Sequence, residues 1–584
     1  MMADEQSIES ILIADCGAVI TKLLLLERVE ASYRFVAQAE TMTTLNPPWE
    51  DISVGVVHAI EEIEEITGRT LYMRGQLITP REGSDGVDAF VAILSAPEPL
   101  RLVIAGLVRE MSLESAYRAA SGTYTRTEAM LSREGSLHSP QETWARSVRD
   151  LAPDVVLLVG GIDGGASRPV MELAEAIALA ASMLEKEQRP RVLYAGNAKI
   201  RPNVTKLISD ITGVEVVDNV HPTADTEHLG PAQRALETIY VNKRLNRTPG
   251  ADTLRLWSRS ELLPTATAFS RIVDYLWYRE RNEDRGALGI DLGAATTSVA
   301  ATFNERSYVT IYERGIAYGP TDWVEEHGIE GLLRWIPEEV EDPEDILDLL
   351  YNRELRPWTI PQEPQELLTE QAVAREILHS ALEVAHPTWN AGAAQQYSDL
   401  MPRFDPILIS GGGIVHLPRP GQALLIVLDG VQPVGISTIL LDINRAAPAL
   451  GAVSGIKPLA AASALEAGTL VSLGTVISPV GRARPGETVL KMHIAYEDGG
   501  DLDVEARYGE IEIWPLLPGQ KATLKLKPTR RFDVGLGPGR GGKIQAIGGV
   551  VGLVVDARGR PLTLPDDPDQ RRRRLNRWIW DVGG

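Results

Sequence analysis

The sequence predicts an α/β protein built from two domains of like design, an inserted parallel βαβ unit and a C-terminal all-β module. A strand, glycine turn and strand pattern occurs twice, at residues 11–26 and 288–303. Between residues 153 and 217, apolar runs suited to strands alternate with helical patterns, which is typical of a parallel sheet with right-handed crossovers. After residue 468, alternating apolar and polar residues are separated by closely spaced Gly and Pro turns, which indicates an all-β module.

The two copies of the repeated pattern share an Asp-x-Gly-Ala turn with a Thr six positions after the Asp. Their equivalent residues are Asp15, Gly17, Ala18 and Thr21 in the first copy and Asp291, Gly293, Ala294 and Thr297 in the second. A Gly between two strands allows a tight turn and leaves main-chain N–H groups open to an anion. The preceding Asp would repel phosphate unless a divalent cation such as Mg²⁺ lies between them. One copy alone is typical of an ordinary hairpin, whereas two copies favour a pair of phosphate loops.

This pair of turns resembles the first and second phosphate motifs of the actin-like ATPase superfamily, which includes sugar kinases, actin, the large heat-shock chaperones and reactivating factors of cobalamin enzymes. Residues 406–415, PILISGGGIV, resemble the adenosine-contacting motif of that superfamily in position and composition. The resemblance implies two actin-like, ribonuclease-H-like domains around a nucleotide cleft.

A closer resemblance is to the glutamate mutase accessory proteins, the GlmL or MutL family, which is unrelated to mismatch repair. The shared features are Thr21-Lys22 at the end of the first loop, Ala295-Thr296-Thr297 in the second loop, and the segment LDGVQPVG at residues 428–435. The resemblance covers residues 8–455. It implies an ATP-binding accessory or reactivating chaperone for a cobalamin-dependent mutase.

The same resemblance implies the residues of the site. ATP and Mg²⁺ would bind with Asp15 and Asp291 as metal ligands, and Asp291 would also be the catalytic residue. The residues expected to contact the nucleotide are Asp15, Gly17, Ala18, Thr21 and Lys22 on one side, Gly293, Ala294 and Thr296 on the other, and Gly411, Gly412 and Gly413 under the adenosine.

The chain departs from the family pattern at four positions of these loops. Ala18 and Val19 stand where hydroxyl residues are usual, Ala294 where a second Gly is usual, and Ser298 where an Asp is usual. Each change removes a contact to phosphate or to metal-bound water, so the sequence leaves open whether ATP is hydrolysed or only bound. One alternative is therefore a scaffold or assembly protein that self-associates and binds nucleotide weakly or not at all.

A small-molecule kinase is a second alternative, with Asp163 or Asp429 as its catalytic carboxylate. Asp163 lies in the turn GGIDGG at residues 160–165, which follows a predicted strand and precedes a predicted helix. Ligands often bind at such positions of α/β sheets, and Asn197 follows the next strand. The sequence leaves a ligand site and a plain tight turn open there.

Composition limits the partners and the compartment. The chain has 584 residues and a formal net charge of −22, which argues against general binding to nucleic acid or anionic membranes. Its single cysteine, Cys16, excludes an internal disulfide and is expected to be a small buried residue. Residues 1–10 lack the pattern of a signal peptide, and charged or Pro residues interrupt the apolar runs, so we expect a cytoplasmic protein without a membrane span.

The predicted domains are residues 1–152, 153–285, 286–462 and 463–584. Helical spacing predicts helices at residues 51–67, 265–281 and 365–385, and residues 87–94 and 101–108 are predicted to be two strands around a Pro-rich turn. Within the last domain, residues 537–543 formally match GxxxxGK, but Ile544 stands where a P-loop needs Ser or Thr. The basic run at residues 571–574 is interpreted as a solvated tail, with docking to an acidic surface as the alternative.

Overall fold

The computed structural model describes residues 8–133, 140–280, 284–389, 397 and 400–583. The chain divides into two compact units, a main unit of residues 1–96 and 249–584 and an inserted unit of residues 97–248. The inserted unit begins earlier than residue 153, where the sequence predicts a boundary. It does so because two of its strands, at residues 100–106 and 125–132, belong to the same sheet as the strands that follow residue 153.

The main unit begins with a three-stranded antiparallel meander and a helix that packs on it. Its first elements are β1 (Ser10–Cys16), β2 (Ile20–Val29), β3 (Ser32–Met42), α1 (Ile52–Thr67), β4 (Tyr72–Met73), β5 (Gln76–Leu77) and β6 (Ala89–Leu94). Asp51 caps the start of helix α1, where its side chain accepts a hydrogen bond from the main-chain N–H of Ser53. Gly68, in the left-handed conformation, caps the end of the helix.

The inserted unit is a five-stranded parallel sheet with helices between its strands. Its elements are β7 (Leu100–Gly106), α2 (Glu114–Ala120), β8 (Thr125–Ser132), α3 (Pro140–Leu151), β9 (Val155–Leu158), α4 (Arg168–Met183), β10 (Arg191–Tyr194), α5 (Arg201–Ile208), β11 (Val214–Val216) and α6 (Gly230–Lys243). The strand order is β8-β7-β9-β10-β11. This is the 2-1-3-4-5 order of flavodoxin-like sheets.

The main unit resumes with a helix, a short strand and a second meander. Its remaining helices and strands are α7 (Ala251–Trp257), β12 (Leu263–Pro264), α8 (Thr265–Glu280), β13 (Gly286–Leu292), β14 (Thr297–Phe303), β15 (Arg306–Tyr312), α9 (Pro320–His327), α10 (Glu330–Leu333), α11 (Pro343–Leu355), α12 (Pro364–Ala385), β16 (Phe404–Ser410), α13 (Gly412–Val415), α14 (Pro420–Gly430), β17 (Gly435–Leu441), α15 (Ala447–Val453), α16 (Pro458–Ala464), β18 (Val471–Ser478), β19 (Thr488–Tyr496), β20 (Asp501–Arg507), β21 (Ile511–Trp514), β22 (Lys521–Pro528), β23 (Gly542–Ile547), β24 (Gly552–Asp556) and α17 (Pro568–Asp581).

Two halves of the main unit repeat one strand order. In the first half the order is β3-β2-β1-β6-β12, and in the second half it is β15-β14-β13-β16-β17. In each half the first three strands are antiparallel, and the next two run parallel to the first strand. The repeated sequence pattern therefore corresponds to a repeated ribonuclease-H-like sheet, and the predicted α/β fold class is confirmed.

A single apolar core joins the two halves. Helices α8 and α15 lie within it, and its members include Ile13 from the first half and Leu408 from the second. The two helices approach closely at Gly451, because a Cβ atom there would overlap the carbonyl oxygen of Ala268. Only Gly at this position allows the observed spacing of the helices.

The C-terminal residues continue the sheet of the second half. Strand β18 pairs with β17, and β24 and β21 extend the sheet further, while β19, β20, β22 and β23 form a separate four-stranded sheet. Helix α17 contains residues 571–574, so the basic run lies in a helix and not in a solvated tail. The helix is fixed by Leu575 and Trp578, which are buried. Within the described residues, no helix combines the length and the apolar character needed to cross a membrane.

Candidate functional site

The two glycine turns have the same hydrogen bonding. The main-chain N–H of Gly17 donates to the carbonyl oxygen of Ile20 at 3.0 Å, and that of Gly293 donates to the carbonyl oxygen of Thr296 at 3.0 Å. The carbonyl oxygens of each turn also accept hydrogen bonds from a neighbouring segment. Thr43 donates side-chain and main-chain hydrogen bonds to the first turn, and the main chain of residues 316–318 donates to the carbonyl oxygens of the second. The two turns are therefore fixed in equivalent shapes at the ends of equivalent strands.

Three charged side chains lie in register across the first sheet. Asp15 on β1 is opposite Lys22 on β2, and Lys22 is opposite Glu40 on β3. Because neighbouring residues in register point to the same face of a sheet, the three side chains share one face. The Lys22 Nζ lies 3.3 Å from Asp15 Oδ2, and the lysine side chain is buried.

Thr21 lies on the opposite face of β2. It is paired with Cys16, it is buried, and its Oγ1 lies 3.0 Å from the Oγ1 of Thr43. Thr297 is placed in the same way in the second half, where its Oγ1 donates to the carbonyl oxygen of Arg314. The structure therefore brings Asp15 and Lys22 together but points the side chain of Thr21 away from them.

The second half presents three polar side chains in one row. Asp291 on β13 is opposite Ser298 on β14 and in register with Ser410 on β16. The Oγ of Ser410 donates to Oδ2 of Asp442 at 3.0 Å. Asp442 directly follows β17, and its carboxylate also accepts hydrogen bonds from the main-chain N–H groups of Ala446 and Ala447 at the start of α15. Ser298 thus occupies in the second half the position that Lys22 has in the first.

Burial and neighbouring carboxylates raise the pKa of Asp291. The largest cause is removal from water, the next is the negative charge of Asp15, and together with Asp442 they raise this pKa from 3.8 to about 7 despite the opposing charge of Lys22. Burial also raises the pKa of Asp442 above its usual value. Asp15 of the first half is therefore close enough to Asp291 of the second for its charge to raise the pKa of Asp291.

A direct contact joins the two halves at this site. Lys22 Nζ donates a hydrogen bond to the carbonyl oxygen of Arg445, and the Arg445 guanidinium forms an ion pair with Glu40. Although burial raises the pKa of Glu40, the hydrogen bond and charge of Arg445 lower it overall. Arg445 has a φ of 50°, which a non-Gly residue adopts rarely. The turn between β17 and α15 is thus held by side chains of the first half.

The turn at Gly411–Gly413 adjoins the same region. Gly411 has a φ of 104°, and a Cβ atom there would overlap the carbonyl group of Leu292, the residue after Asp291. A Cβ atom at Gly412 would meet only the far ends of His416 and Arg445, at 3.7 and 3.8 Å. Ile316 packs against Gly413 and also lines a cavity of about 310 Å³ between α11 and α12. Ile316 therefore contacts the glycine turn and also lines this cavity.

The residues present fit a divalent cation that keeps part of its water shell. Four carboxyl groups, from Asp15, Glu40, Asp291 and Asp442, face two cations, Lys22 and Arg445. Within the part of the chain that is described, no group of three or more His, Cys, Asp or Glu side chains is placed to hold a metal by itself. Mg²⁺ commonly binds through one or two carboxylates together with waters and phosphate oxygens, which this set of residues can supply.

The family profile described as MutL protein matches residues 11–468. The chain belongs to the MutL protein family. The curated Protein MutL of Clostridium tetanomorphum is 23% identical over an alignment of 444 positions, which covers 71% of this chain and 88% of that protein. The profile match ends just before β18, so the C-terminal strands and α17 lie outside it.

Solved structures also align with this chain. The nucleotide-free diol dehydratase-reactivating factor aligns with 77% of this chain and 100% of its own, at 10% identity and a TM-score of 0.31. Xylulose kinase from Bifidobacterium adolescentis aligns with 80% of this chain and 96% of its own, at 12% identity and a TM-score of 0.27. The MutL assignment rests on the sequence match, and the fold rests on the repeated strand order.

Several residues singled out in the sequence have structural roles in this MutL protein. Cys16 is buried, and burial raises the pKa of its thiol. Asp163 accepts hydrogen bonds from the main-chain N–H of Ala198 and from Asn219. Asn197 is buried and binds the main chain of residues 164–166 through both side-chain atoms. The hydrogen bonds of Asp163 and Asn197 hold the turn at residues 160–165 in place.

Four residues at this site of the MutL chain, Glu40, Ser410, Asp442 and Arg445, were not predicted from the sequence. Asp442 carried a usable signal, because it directly follows the buried strand β17, at the carboxyl edge of a parallel pair where ligands often bind. The contact between Lys22 and Arg445 joins residues 423 positions apart, and it carries no local signal. The GxxxxGK match at residues 537–543 is not a P-loop, since its last two residues already lie in strand β23, whereas a P-loop leads into a helix.

Proposed function

We propose that this MutL protein binds ATP with Mg²⁺ between the two glycine turns and acts as an accessory ATPase. The observation that carries the proposal is the proximity of Asp15 and Asp291, which lie at the ends of equivalent strands, so that the charge of Asp15 raises the pKa of Asp291. Two like charges held together in a partly buried site are costly unless a cation lies near them. A nucleotide with its divalent cation supplies both the charge and the phosphate groups that the open turns accept.

Each residue has a distinct part in the proposed site. Asp15 and Asp291 would hold the metal through its waters, and Mg²⁺, when bound, would neutralise phosphate charge. The main-chain N–H groups at Ala18, Ala294 and Thr296 would face the phosphates. Gly17 and Gly293 would line the site without a side chain, because their own N–H groups close the turns. Lys22 would move from Asp15 to a phosphate oxygen, as a lysine commonly does. Asp291 would orient the attacking water.

The base would lie beside the turn at Gly411–Gly413. The cavity of about 310 Å³ behind Ile316 is large enough for a purine and is lined by polar groups that include Thr369 and Glu370. Thr369 Oγ1 is buried and makes no hydrogen bond to any described residue. Burial raises the pKa of Glu370, which pairs with Arg353. A ligand with adjacent donors and acceptors would satisfy Thr369 and bind Glu370.

The proposed nucleotide would control the contact between the two halves. Lys22 now donates to Arg445 of the second half, so a phosphate that draws Lys22 away would release this contact and replace it with contacts from both turns. Loss of the γ-phosphate would reverse the exchange, and such exchanges commonly open and close clefts of this kind.

The proposed client is a cobalamin-dependent mutase. Membership of the MutL family supports an accessory role, and the motion of the two halves would be used on the mutase, for example to expel a damaged cofactor. Fold alone does not fix a client, so this part of the proposal needs its own test by copurification of the two proteins with and without ATP.

Calorimetry and a phosphate-release assay test the nucleotide site. We expect ATP with Mg²⁺ to bind the native chain and to bind at least about tenfold more weakly to Asp15→Ala and Asp291→Ala. Asp503→Ala is the matched control, because it removes a carboxylate from an exposed side chain on β20. Binding that is unchanged in both site variants would refute the proposed cleft.

A scaffold or assembly protein that binds nucleotide weakly or not at all is the second candidate. It is favoured by Ala18, Ala294 and Ser298, which lack the groups usual in the family. The small-molecule kinase loses support, because Asp163 is occupied by hydrogen bonds and Asp429 is buried between Arg375 and Arg558. Weak or absent ATP binding without phosphate release, together with ATP-independent oligomers, would favour the scaffold.

A further inference from the structure

A buried network of charged side chains links α12, α14 and the segment after β24. Asp429 accepts hydrogen bonds from Arg375 and from Arg558, each at 2.7 Å. Asp556 accepts from Arg558 at 2.9 Å and from Arg560 at 2.6 Å. All five side chains are almost completely buried. Three arginines against two aspartates leave one positive charge in excess within this network.

One end of the network opens into a cavity of about 410 Å³. Arg375 and Asp429 line the cavity, and so do Arg334, His379 and Arg571. Trp335 also lines it and lies between two of the arginines, with the guanidinium carbons of Arg334 and Arg375 5.4 and 5.5 Å from its ring centre. Leu562 and Leu564 add apolar walls. The cavity therefore combines three arginines with an apolar surface, and the carboxylates of Glu376, Asp429 and Asp566 also line it.

The carboxylates around this cavity are largely used by the protein. Glu376 accepts hydrogen bonds from Arg334 and from the indole N–H of Trp335. Asp429 is shared by two arginines, and Asp566 is exposed to water. Arg571, by contrast, donates to the main-chain carbonyl oxygens of Pro565 and Asp566 at 3.3 and 3.4 Å. Its positive charge adds to the excess in the buried network.

We propose that this cavity binds a small organic anion, a carboxylate or a phosphate ester carried on an apolar body. A buried positive charge in excess is unfavourable unless an anion compensates it, and planar guanidinium groups bind carboxylate and phosphate oxygens in pairs. Trp335 and the leucines would cover the apolar part of the ligand. This cavity is separate from the nucleotide site, and the proposal holds whether or not ATP binds.

Arg571→Gln and Arg574→Gln form a matched pair for the test. Both remove one charge from the same helix and the same basic run, but only Arg571 lines the cavity. The probes are succinate, benzoate and inorganic phosphate, measured by calorimetry on the full chain. We expect one of them to bind saturably, with the affinity about tenfold or more lower in Arg571→Gln and unchanged in Arg574→Gln. Preference for benzoate or succinate over phosphate would identify a carboxylate ligand, and the reverse would identify a phosphate ester.

Three results would overturn the proposal. The first is an equal loss of affinity in both variants, which would indicate general attraction to the basic helix. The second is a lower affinity in Lys22→Ala together with an unchanged affinity in Arg571→Gln, which would assign the anion to the nucleotide site. The third is the absence of saturable binding by all three probes, including the case in which only an acidic peptide binds, since the surface would then serve a protein partner.

Discussion

Lys22 on β2 donates a hydrogen bond to the carbonyl oxygen of Arg445, which lies in the turn between β17 and α15. The lysine thus belongs to the first repeat and contacts the second, while its neighbour Asp15 stands 3.3 Å away. The second repeat has no equivalent lysine, because Ser298 occupies that position. The two repeats are therefore alike in main chain and different in charge.

Lys22→Ala should weaken ATP binding by about tenfold or more, because the charged donor proposed for a phosphate is removed. It should also raise the pKa of Asp291 above about 7, since the charge of Lys22 lowers that pKa in the native chain. Calorimetry measures the first effect and carbon NMR of the labelled carboxyl groups the second. Lys491→Ala, at an exposed position on β19, is the control and should change neither quantity.

The raised pKa of Asp291 should make stability depend on pH. Its carboxyl group has a pKa of about 7 in the folded chain against an ordinary value of 3.8, so between these values the folded state holds a proton that the unfolded state releases. The free energy of unfolding therefore falls as pH rises from about 4 to 7, and the full penalty remains above pH 7. Asp291→Asn should raise the unfolding temperature at pH 8.0 by about 2 °C or more relative to its effect at pH 5.5.

Thermal unfolding of both proteins without nucleotide at these two pH values checks this. Asp503→Asn, at an exposed carboxylate, should have the same unfolding temperature as the native chain at both pH values. An equal change in unfolding temperature for Asp291→Asn at pH 5.5 and pH 8.0 would contradict the assignment of a raised pKa to this carboxyl group.

Gly411→Ala and Gly412→Ala should separate folding from binding. At Gly411 the positive φ and the overlap with Leu292 strain any side chain, so the substitution should cost about 1–3 kcal/mol of unfolding free energy. At Gly412 an added Cβ atom makes ordinary contacts, so stability should change by less than about 0.5 kcal/mol. Chemical denaturation measures both, and a loss of ATP affinity in Gly412→Ala alone would place the nucleotide against this turn.

Asp429→Ala should be strongly destabilising. It leaves Arg375 and Arg558 buried without their shared carboxylate, and breaking a buried ion pair from one side costs about 3–5 kcal/mol. Glu505→Ala is the comparison, because it breaks the exposed pair with Lys491, and exposed ion pairs contribute little to stability. Similar unfolding temperatures for the two variants would show that the buried network contributes little.

Local patterns predicted the elements of the fold better than their arrangement. The helix predicted at residues 265–281 is α8, and the one at residues 365–385 is α12. Residues 87–94 and 101–108 are strands as expected, but β6 and β7 belong to different sheets. A Pro-rich turn shows that the chain leaves a strand, and it carries no signal for which sheet the chain joins next.

The site was predictable where its residues lie next to the glycine turns. Asp15 and Lys22 are in register because the turn length fixes the hairpin. The same register places Thr21 on the other face, which alternation along the strand would have indicated. Asp442 and Arg445 come from a distant segment that parallel pairing brings beside β13 and β16, and their contribution required the assembled sheet.

The core around α8 and α15 has a consequence for the repeat itself. Its residues come from both sheets, with Ile13, Phe269, Leu408 and Leu450 in one cluster. A chain cut between α8 and β13 would leave an uncovered apolar surface on each piece, although each piece keeps most of its own sheet. Such fragments should be insoluble when expressed apart and should recover solubility when coexpressed, because each supplies the missing side of the other's interior.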